Sequence, residues 1–160
     1  MILCCGEALI DMLPRETTRG ENGFAPYAGG AIFNTAIALG RLGQPTGFFT
    51  GLSDDMMGDI LRETLKQSHV DYRFCATSSR PTTIAFVKLV NGQATYAFYD
   101  EGTAGRMISR EDLPDLGPEI EAMHFGAISL IPEPCGETYE TLMAREYQSR
   151  VISFDPNIRP

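Results

Sequence analysis

The sequence has no tryptophan, only two histidines, and 13 Lys and Arg against 21 Asp and Glu. The shortage of cations leaves a net charge of −8, which disfavours nucleic acid or an acidic membrane surface as the main partner. With His69 and His124 alone, a histidine-rich metal site is not expected. No apolar run reaches the length that spans a membrane. The opening "MILCCGEALID" makes a poor secretory leader, because it lacks a basic start and Glu7 and Asp11 interrupt its apolar run. Cys4, Cys5, Cys75 and Cys135 form no CxxC pair. On a strand Cys4 and Cys5 point to opposite faces, so buried free thiols in a reducing, cytoplasmic setting are expected. Neither GxxxxGK[ST] nor GxGxxG occurs, which argues against a P-loop and against a Rossmann oxidoreductase.

What is present is an alternation of elements. The 160 residues suffice for one sizeable core, and 16 Gly and 10 Pro supply many turns. "MILCCGEALIDML" (1–13) is apolar and bounded by Pro14, which predicts a buried strand. "TTRGENGFAP" (17–26) reads as a loop or ragged edge strand. A helix is predicted over 31–42, with Gly43 and Pro45 as its stop. "TGFFTGL" (46–52) is a strand. The amphipathic "SDDMMGDILRETLKQS" (53–68) follows as a helix, with Asp54 and Asp55 at its positive end. "VDYRFCAT" (70–77) reads as a short strand. In 82–99, two β-rich runs flank Asn91-Gly92, the signature of a type I′ hairpin. The α/β rhythm then returns. "DLPDLGPEIEAM" reads as holding a short helix, "HFGAISLI" as a strand, "CGETYETLMAREYQSR" as a helix and "VISFDPN" as a strand. These imply a mostly parallel, helix-covered sheet, with the hairpin as an appendage at one edge.

Ligands of such sheets bind beyond the carboxyl ends of the strands. Polar groups collect there: Asp11, the pair Gly29-Gly30, Asn34, Ser129, Asp155, Asn157 and Arg159. The stretch "YAGGAIFNTAIALGRLG" (27–43) stands out. Two poor helix formers open its helix, and Asn34 sits among small and apolar residues.

In order along the chain, "GEALIDMLP", "AGGAIFNTAIALGRLG", "GLSDDMMGDIL", "ATYAFYDEGTAGR" and "DPNIRP" resemble the ribokinase/PfkB family of carbohydrate kinases, most closely its fructokinase-like branch. The resemblance covers all 160 residues. It implies a ribokinase-like, doubly wound α/β fold with a small β lid built from about 14–27 and 82–99. It also implies transfer of the ATP γ-phosphate, with Mg²⁺, to a sugar hydroxyl. In that reading Asp11 accepts hydrogen bonds from the sugar. Gly29 and Gly30 let backbone approach it, and Asn34 both donates and accepts. Phe98 and Tyr99 are lid residues. Asn157 and Arg159 lie on the sheet side, and Arg159 would also suit an anionic substituent.

Competing readings stand beside these. Gly29-Gly30 also suits a tight turn, Asp11 a cap, and Asn34 a local backbone partner. Strand alternation turns only one of Phe98 and Tyr99 toward a ligand. Ile32, Ser53 and Gly105 depart from residues usual in the family.

The resemblance further implies that these residues are the N-terminal part of one sugar-kinase domain. The family's glycine-rich segment, with its catalytic Asp and most ATP contacts, then belongs to a C-terminal part or completing chain. No catalytic residue is therefore assigned here. Fructose is the first expectation for the sugar. A kinase acting on 2-keto-3-deoxygluconate or an aminoimidazole riboside is an alternative, as is a non-catalytic sugar-binding or interaction module. A homodimer through the apolar lid strands is also expected.

Overall fold

The computed structural model describes residues 1–90 and 93–158. The Asn91-Gly92 turn and Arg159, both singled out by the sequence, lie outside the described residues. The elements run β1 (Ile2–Cys5), β2 (Leu9–Glu16), β3 (Asn22–Gly29), α1 (Ala31–Arg41), β4 (Thr46–Phe49), β5 (Gly51–Ser53), α2 (Met56–Gln67), β6 (Val70–Asp71) and β7 (Ala76–Ser78). They continue with β8 (Ile84–Val90), β9 (Gln93–Tyr99), β10 (Ala122–Gly126), α3 (Cys135–Glu146) and β11 (Val151–Asp155).

The main sheet is fully parallel, in the order β11-β10-β1-β4-β6. Strand alternation supplies two cores. Cys4 and Phe48 point to one face, under Phe33 and Ile37 of α1 and Leu61 and Leu65 of α2. Leu3, Cys5, Phe49, Met123 and Phe125 point to the other, under Tyr139 and Leu142 of α3. Helices therefore cover both faces, the doubly wound arrangement. Aromatic edge-to-face pairs lock each side: Phe33 with Phe48 at 5.6 Å and Phe49 with Tyr139 at 5.8 Å. The four cysteines are free, and burial pushes the thiols of Cys4 and Cys75 up to about 12.

Several expectations need correction. Residues 1–13 do not form one strand. The chain turns at Gly6–Ala8, so β1 joins the main sheet while β2 enters a second one. The predicted strands at 46–52 and 70–77 likewise each divide in two, giving β4 and β5, then β6 and β7. The edge strand expected within 17–26 lies at Asn22–Gly29. The hairpin is no separate appendage. β8 and β9 join β2 and β3 in a four-stranded sheet, order β3-β2-β8-β9, in which β2 pairs parallel with β8. The strand in 124–131 stops at Gly126, and Ile128–Leu130 forms a 3₁₀ turn.

The predicted helix within "DLPDLGPEIEAM" is absent, because Pro114, Gly117 and Pro118 break it. That loop is held instead by Arg150. Its guanidinium donates to the carbonyls of Leu116, Gly117 and Ile120 and pairs with Glu146 at 2.7 Å. Arg145 binds the same carboxylate, also at 2.7 Å. Burial pushes the Glu146 carboxyl up, but hydrogen bonds from the two arginines outweigh it and hold it below the ordinary glutamate range.

Two consequences follow. Arg150→Met removes the loop's anchor and half of Glu146's neutralisation, and should cost about 3 kcal/mol in urea denaturation. A carboxyl held low stabilises the fold above its unfolded pKa, and that contribution disappears as pH falls through its lower folded value. Acid unfolding should therefore begin at higher pH in the variant than in the wild type.

Candidate ligand site

Near the carboxyl ends of the parallel strands, two chain crossings meet. The β1–β2 turn carries Glu7, and the β3–α1 junction carries Gly29 and Gly30. Gly30 has φ +112, and a Cβ there would lie 2.7 Å from the Glu7 carbonyl oxygen. Only glycine meets both demands. At Gly29 a Cβ would run into the Asp11 carboxylate. The glycine pair thus admits Glu7 backbone on one side and an acid side chain on the other.

Gly30 gives α1 no side-chain cap, and the first turn carries no acid. Glu7 supplies the cap from 24 residues away, accepting from the Ala31 N–H at 2.6 Å and the Ile32 N–H at 3.4 Å. Its other oxygen accepts from the Ser129 hydroxyl at 3.3 Å. Glu7 is buried, and burial raises its pKa despite these hydrogen bonds. The sequence reading noted Glu7 only as a break in an apolar run. Its partners are remote in sequence, so no local capping pattern could reveal it.

A cleft of about 630 Å³ opens beside this crossing. Glu7, Leu9, Asp11, Gly30 and Ala31 line its floor with Asn34, and Ala127, Ile128, Ile131 and Pro156–Ile158 close one side. Tyr96 and Phe98 of β9 cover the other. Register explains the cover. Asp11 pairs with Ala85, and Ala85 with Phe98, so these residues share one face of the second sheet. Asp11 stands within β2 rather than ending the first strand. Its carboxylate is half-buried and has no hydrogen-bond donor among the described residues; desolvation raises its pKa. Asn34 is exposed toward the cleft, one turn into α1, and not packed into the helix's apolar face. Asn157 lies at the rim with φ 50, its N–H donating to Asp155 at 2.8 Å. Ala127, on the same wall, also holds a positive φ of 64. Such left-handed backbone at a non-glycine residue is tolerated where surrounding structure fixes it.

Asp11, Gly30, Asn34, Phe98 and Asn157 therefore meet at one cleft. Gly29 stands behind Asp11 as a spacer. Tyr99 points to the opposite face of β9, where it meets Phe86 at 5.7 Å, and is absent from the lining. Tyr96, which the sequence reading passed over, takes its place, stacked on Phe98 at 5.8 Å. Alternation along β9 carried that information. Ser129 is buried behind the wall on Glu7.

Chemically the cleft offers hydroxyl-binding groups and aromatic faces. Among the described residues lining it there is no cation, and Glu7 already occupies the first amides of α1. No three His, Cys, Asp or Glu side chains cluster as a metal site among the described residues. These groups suit a neutral polyol and do not fit a nucleotide triphosphate or its metal. No helix among the described residues is long and apolar enough to cross a membrane.

Comparison with known proteins agrees with this architecture. The chain is 81% identical over its whole length to a fructokinase of Rhizobium leguminosarum bv. trifolii, of which it covers 49%. A crystal structure of fructokinase from Xylella fastidiosa superposes with a TM-score of 0.90 at 32% identity, over 99% of this chain and 53% of that one. The same Xylella enzyme has been crystallised with bound ATP, again with a TM-score of 0.90. The chain thus spans about half the length of the curated relatives it matches. The pattern of the pfkB family of carbohydrate kinases matches residues 1–160, and the chain belongs to that family.

Proposed function

We propose that this chain is the acceptor-binding part of an ATP-dependent sugar kinase, with fructose as the first substrate. The observation that carries the reading is the cleft itself. It brings a half-buried Asp11, with no donor among the described residues, into one cleft with Asn34 and Phe98, near the carboxyl ends of a doubly wound sheet. An ionised Asp11 accepts hydrogens from two sugar hydroxyls. Asn34 donates to one and accepts from another, and Asn157 does the same from the facing wall. Tyr96 and Phe98 cover the C–H face of the ring, and Ile128, Ile131 and Ile158 add apolar surface at the cleft rim.

ATP with Mg²⁺ is the proposed phosphoryl donor, on the strength of the family and of the ATP-bound Xylella relative. The cleft lining offers no cation for phosphates, so no step of phosphoryl transfer is assigned to this chain's described residues. The second sheet serves as the lid, comprising 14–27 and 82–99 together with the start of β2. Its exposed outer face, with Phe24 and Tyr99, supports a homodimer through that sheet. Arg159, outside the described residues, belongs to the proposed sugar side by resemblance. The free thiols, three of the four buried, and the net negative charge suit a cytoplasmic enzyme. One sugar-kinase domain, to which residues 1–160 contribute the N-terminal part, is the proposed organisation.

The test is an ATP-dependent phosphorylation assay on the full-length protein, over fructose, ribose, 2-keto-3-deoxygluconate and an aminoimidazole riboside. Turnover of fructose above the others is expected; binding without any turnover would sink the kinase reading in favour of a sugar-binding module. Asp11→Asn should raise the sugar KM roughly 10- to 100-fold, the worth of hydrogen bonds to a charged acceptor. It should leave the ATP KM nearly unaltered. Gly29→Ala, which displaces the Asp11 carboxylate, should move the sugar KM the same way. Because desolvation raises the Asp11 pKa, the wild-type sugar KM should rise on acidification while pH is still above the ordinary aspartate value. Asp11→Asn should lose that part of the pH dependence.

A further inference from the structure

We infer that Glu7 is a positioning residue of the cleft, a carboxylate strap that fixes the distance between its two walls. The inference rests on the sugar-kinase reading for its kinetic consequence but on geometry for its substance. One oxygen holds the start of α1 through the Ala31 and Ile32 amides, at 2.6 and 3.4 Å. The other accepts from the Ser129 hydroxyl at 3.3 Å, whose single proton is shared with the Gly126 carbonyl at 3.2 Å. The α1 side carries Gly30, Ala31 and Asn34; the Ser129 side carries Ala127 and Ile128. No other described side chain bonds both walls.

Three features make this more than a helix cap. The cap comes from outside α1 and its neighbours, so it couples separate elements. Glu7 is buried although burial disfavours its charge, a cost that a local Ser or Asp cap at position 30 would avoid. Such a cap is excluded because Gly30 must pass against the Glu7 carbonyl. Glu7 therefore fixes the wall twice, by its carbonyl and by its carboxylate. A shift of α1 relative to the Ser129 turn would move Asn34 and the Gly30 backbone away from the sugar together. Binding geometry is sensitive to displacements of about 1 Å.

Other charged or titratable groups surround Glu7. Asp11 faces it from β2, Asp100 and Arg106 from the loop after β9, and Cys135 and Tyr139 from α3. Asp100 and Arg106 neutralise each other at 3.2 Å. Any pH effect must therefore be separated from that of Asp11.

The experiment uses the full-length protein in four forms: wild type, Glu7→Asp, Glu7→Gln and Ser129→Ala. Glu7→Asp keeps the charge but is one methylene too short for the span. Glu7→Gln keeps the span and loses the charge. Steady-state kinetics should show a tenfold or greater rise in sugar KM for Glu7→Asp, with the ATP KM within twofold. Glu7→Gln should recover most of that loss, and Ser129→Ala should raise the sugar KM severalfold. Sugar KM within twofold of wild type in Glu7→Asp, or equal loss in the sugar and ATP constants, would overturn the strap. Amide spectra of ¹⁵N-labelled protein provide a readout free of turnover. The Ala31 and Ile32 resonances should titrate in the wild type, and the portion due to Glu7 should vanish in Glu7→Gln. Identical titrations in the two proteins would refute the strap. Should no sugar be phosphorylated by the wild type, the kinase reading falls and these amides alone decide.

Discussion

The close passage of the β1–β2 turn against the β3–α1 junction governs the rest of this structure. The Glu7 carbonyl oxygen lies 2.7 Å from where a Cβ of residue 30 would stand, and the chain at Gly30 takes φ +112. At this crossing the two strands part for different sheets. β1 must stay in the parallel sheet, buried on both faces, while β2 must leave it for the second sheet. The turn between them is only Gly6–Ala8, so there is no slack to route the chain elsewhere. Backbone that approaches so closely cannot also be capped locally. The unsatisfied amides of α1 then need an acceptor from outside, and the nearest chain is the one that created the problem. The capping carboxylate and the glycine pair are two results of one steric constraint.

The two cores on either side of β1 explain why the crossing holds. Leu3 and Cys5 are anchored under α3, and Cys4 under α1 and α2. Tyr139 adds a directional tie, its hydroxyl donating to the Gly6 carbonyl at 3.1 Å just before Glu7. Asp55 ties the second sheet in the same way. It caps α2 through the Met57 and Gly58 amides, at 3.0 and 2.7 Å, and also accepts from Thr82 at the foot of β8. One side chain thus ends a helix of the main layer and anchors a strand of the cover. Apolar burial sets how strongly the layers adhere; these few polar contacts set where they stop.

The alternation of elements was legible because strand and helix periods differ, and because Gly43, Pro45 and Asp55 punctuate the chain. α1 and α3 began where their patterns predicted. What failed had common physical causes. A run such as 1–13 is apolar throughout, and periodicity cannot show that it serves two sheets with a turn at Gly6. The segment 112–123 has helical composition, but Pro114 and Pro118 deny it amides, and Arg150 satisfies its carbonyls instead. At the cleft, Asp11, Asn34 and Asn157 were singled out because polar groups near the strand ends point to a ligand, and Phe98 because the resemblance named it. Glu7 and Tyr96 were not. Glu7 acts through partners 24 and 122 residues away, so its role exists only in three dimensions. Tyr96 follows from Phe98 by a period of two, which the choice between Phe98 and Tyr99 obscured.

The charge pattern of the cleft follows from the same crossing. Two carboxylates, Glu7 and Asp11, are brought to one wall by glycines that leave no room for larger groups. Glu7 spends its oxygens on the fold, whereas Asp11 keeps its own unengaged among the described residues. A hydroxyl arriving there gives Asp11 a donor and relieves the desolvation that raises its pKa. An anionic group arriving there would meet like charge in a partly dry site, where repulsion between neighbouring charges reaches about 4 kcal/mol at 4 Å. The described lining contains no cation to offset it. The wall thus favours the polyhydroxy part of a ligand, and any anionic substituent must be held by groups away from it. A geometry forced by backbone packing selects the ligand's charge.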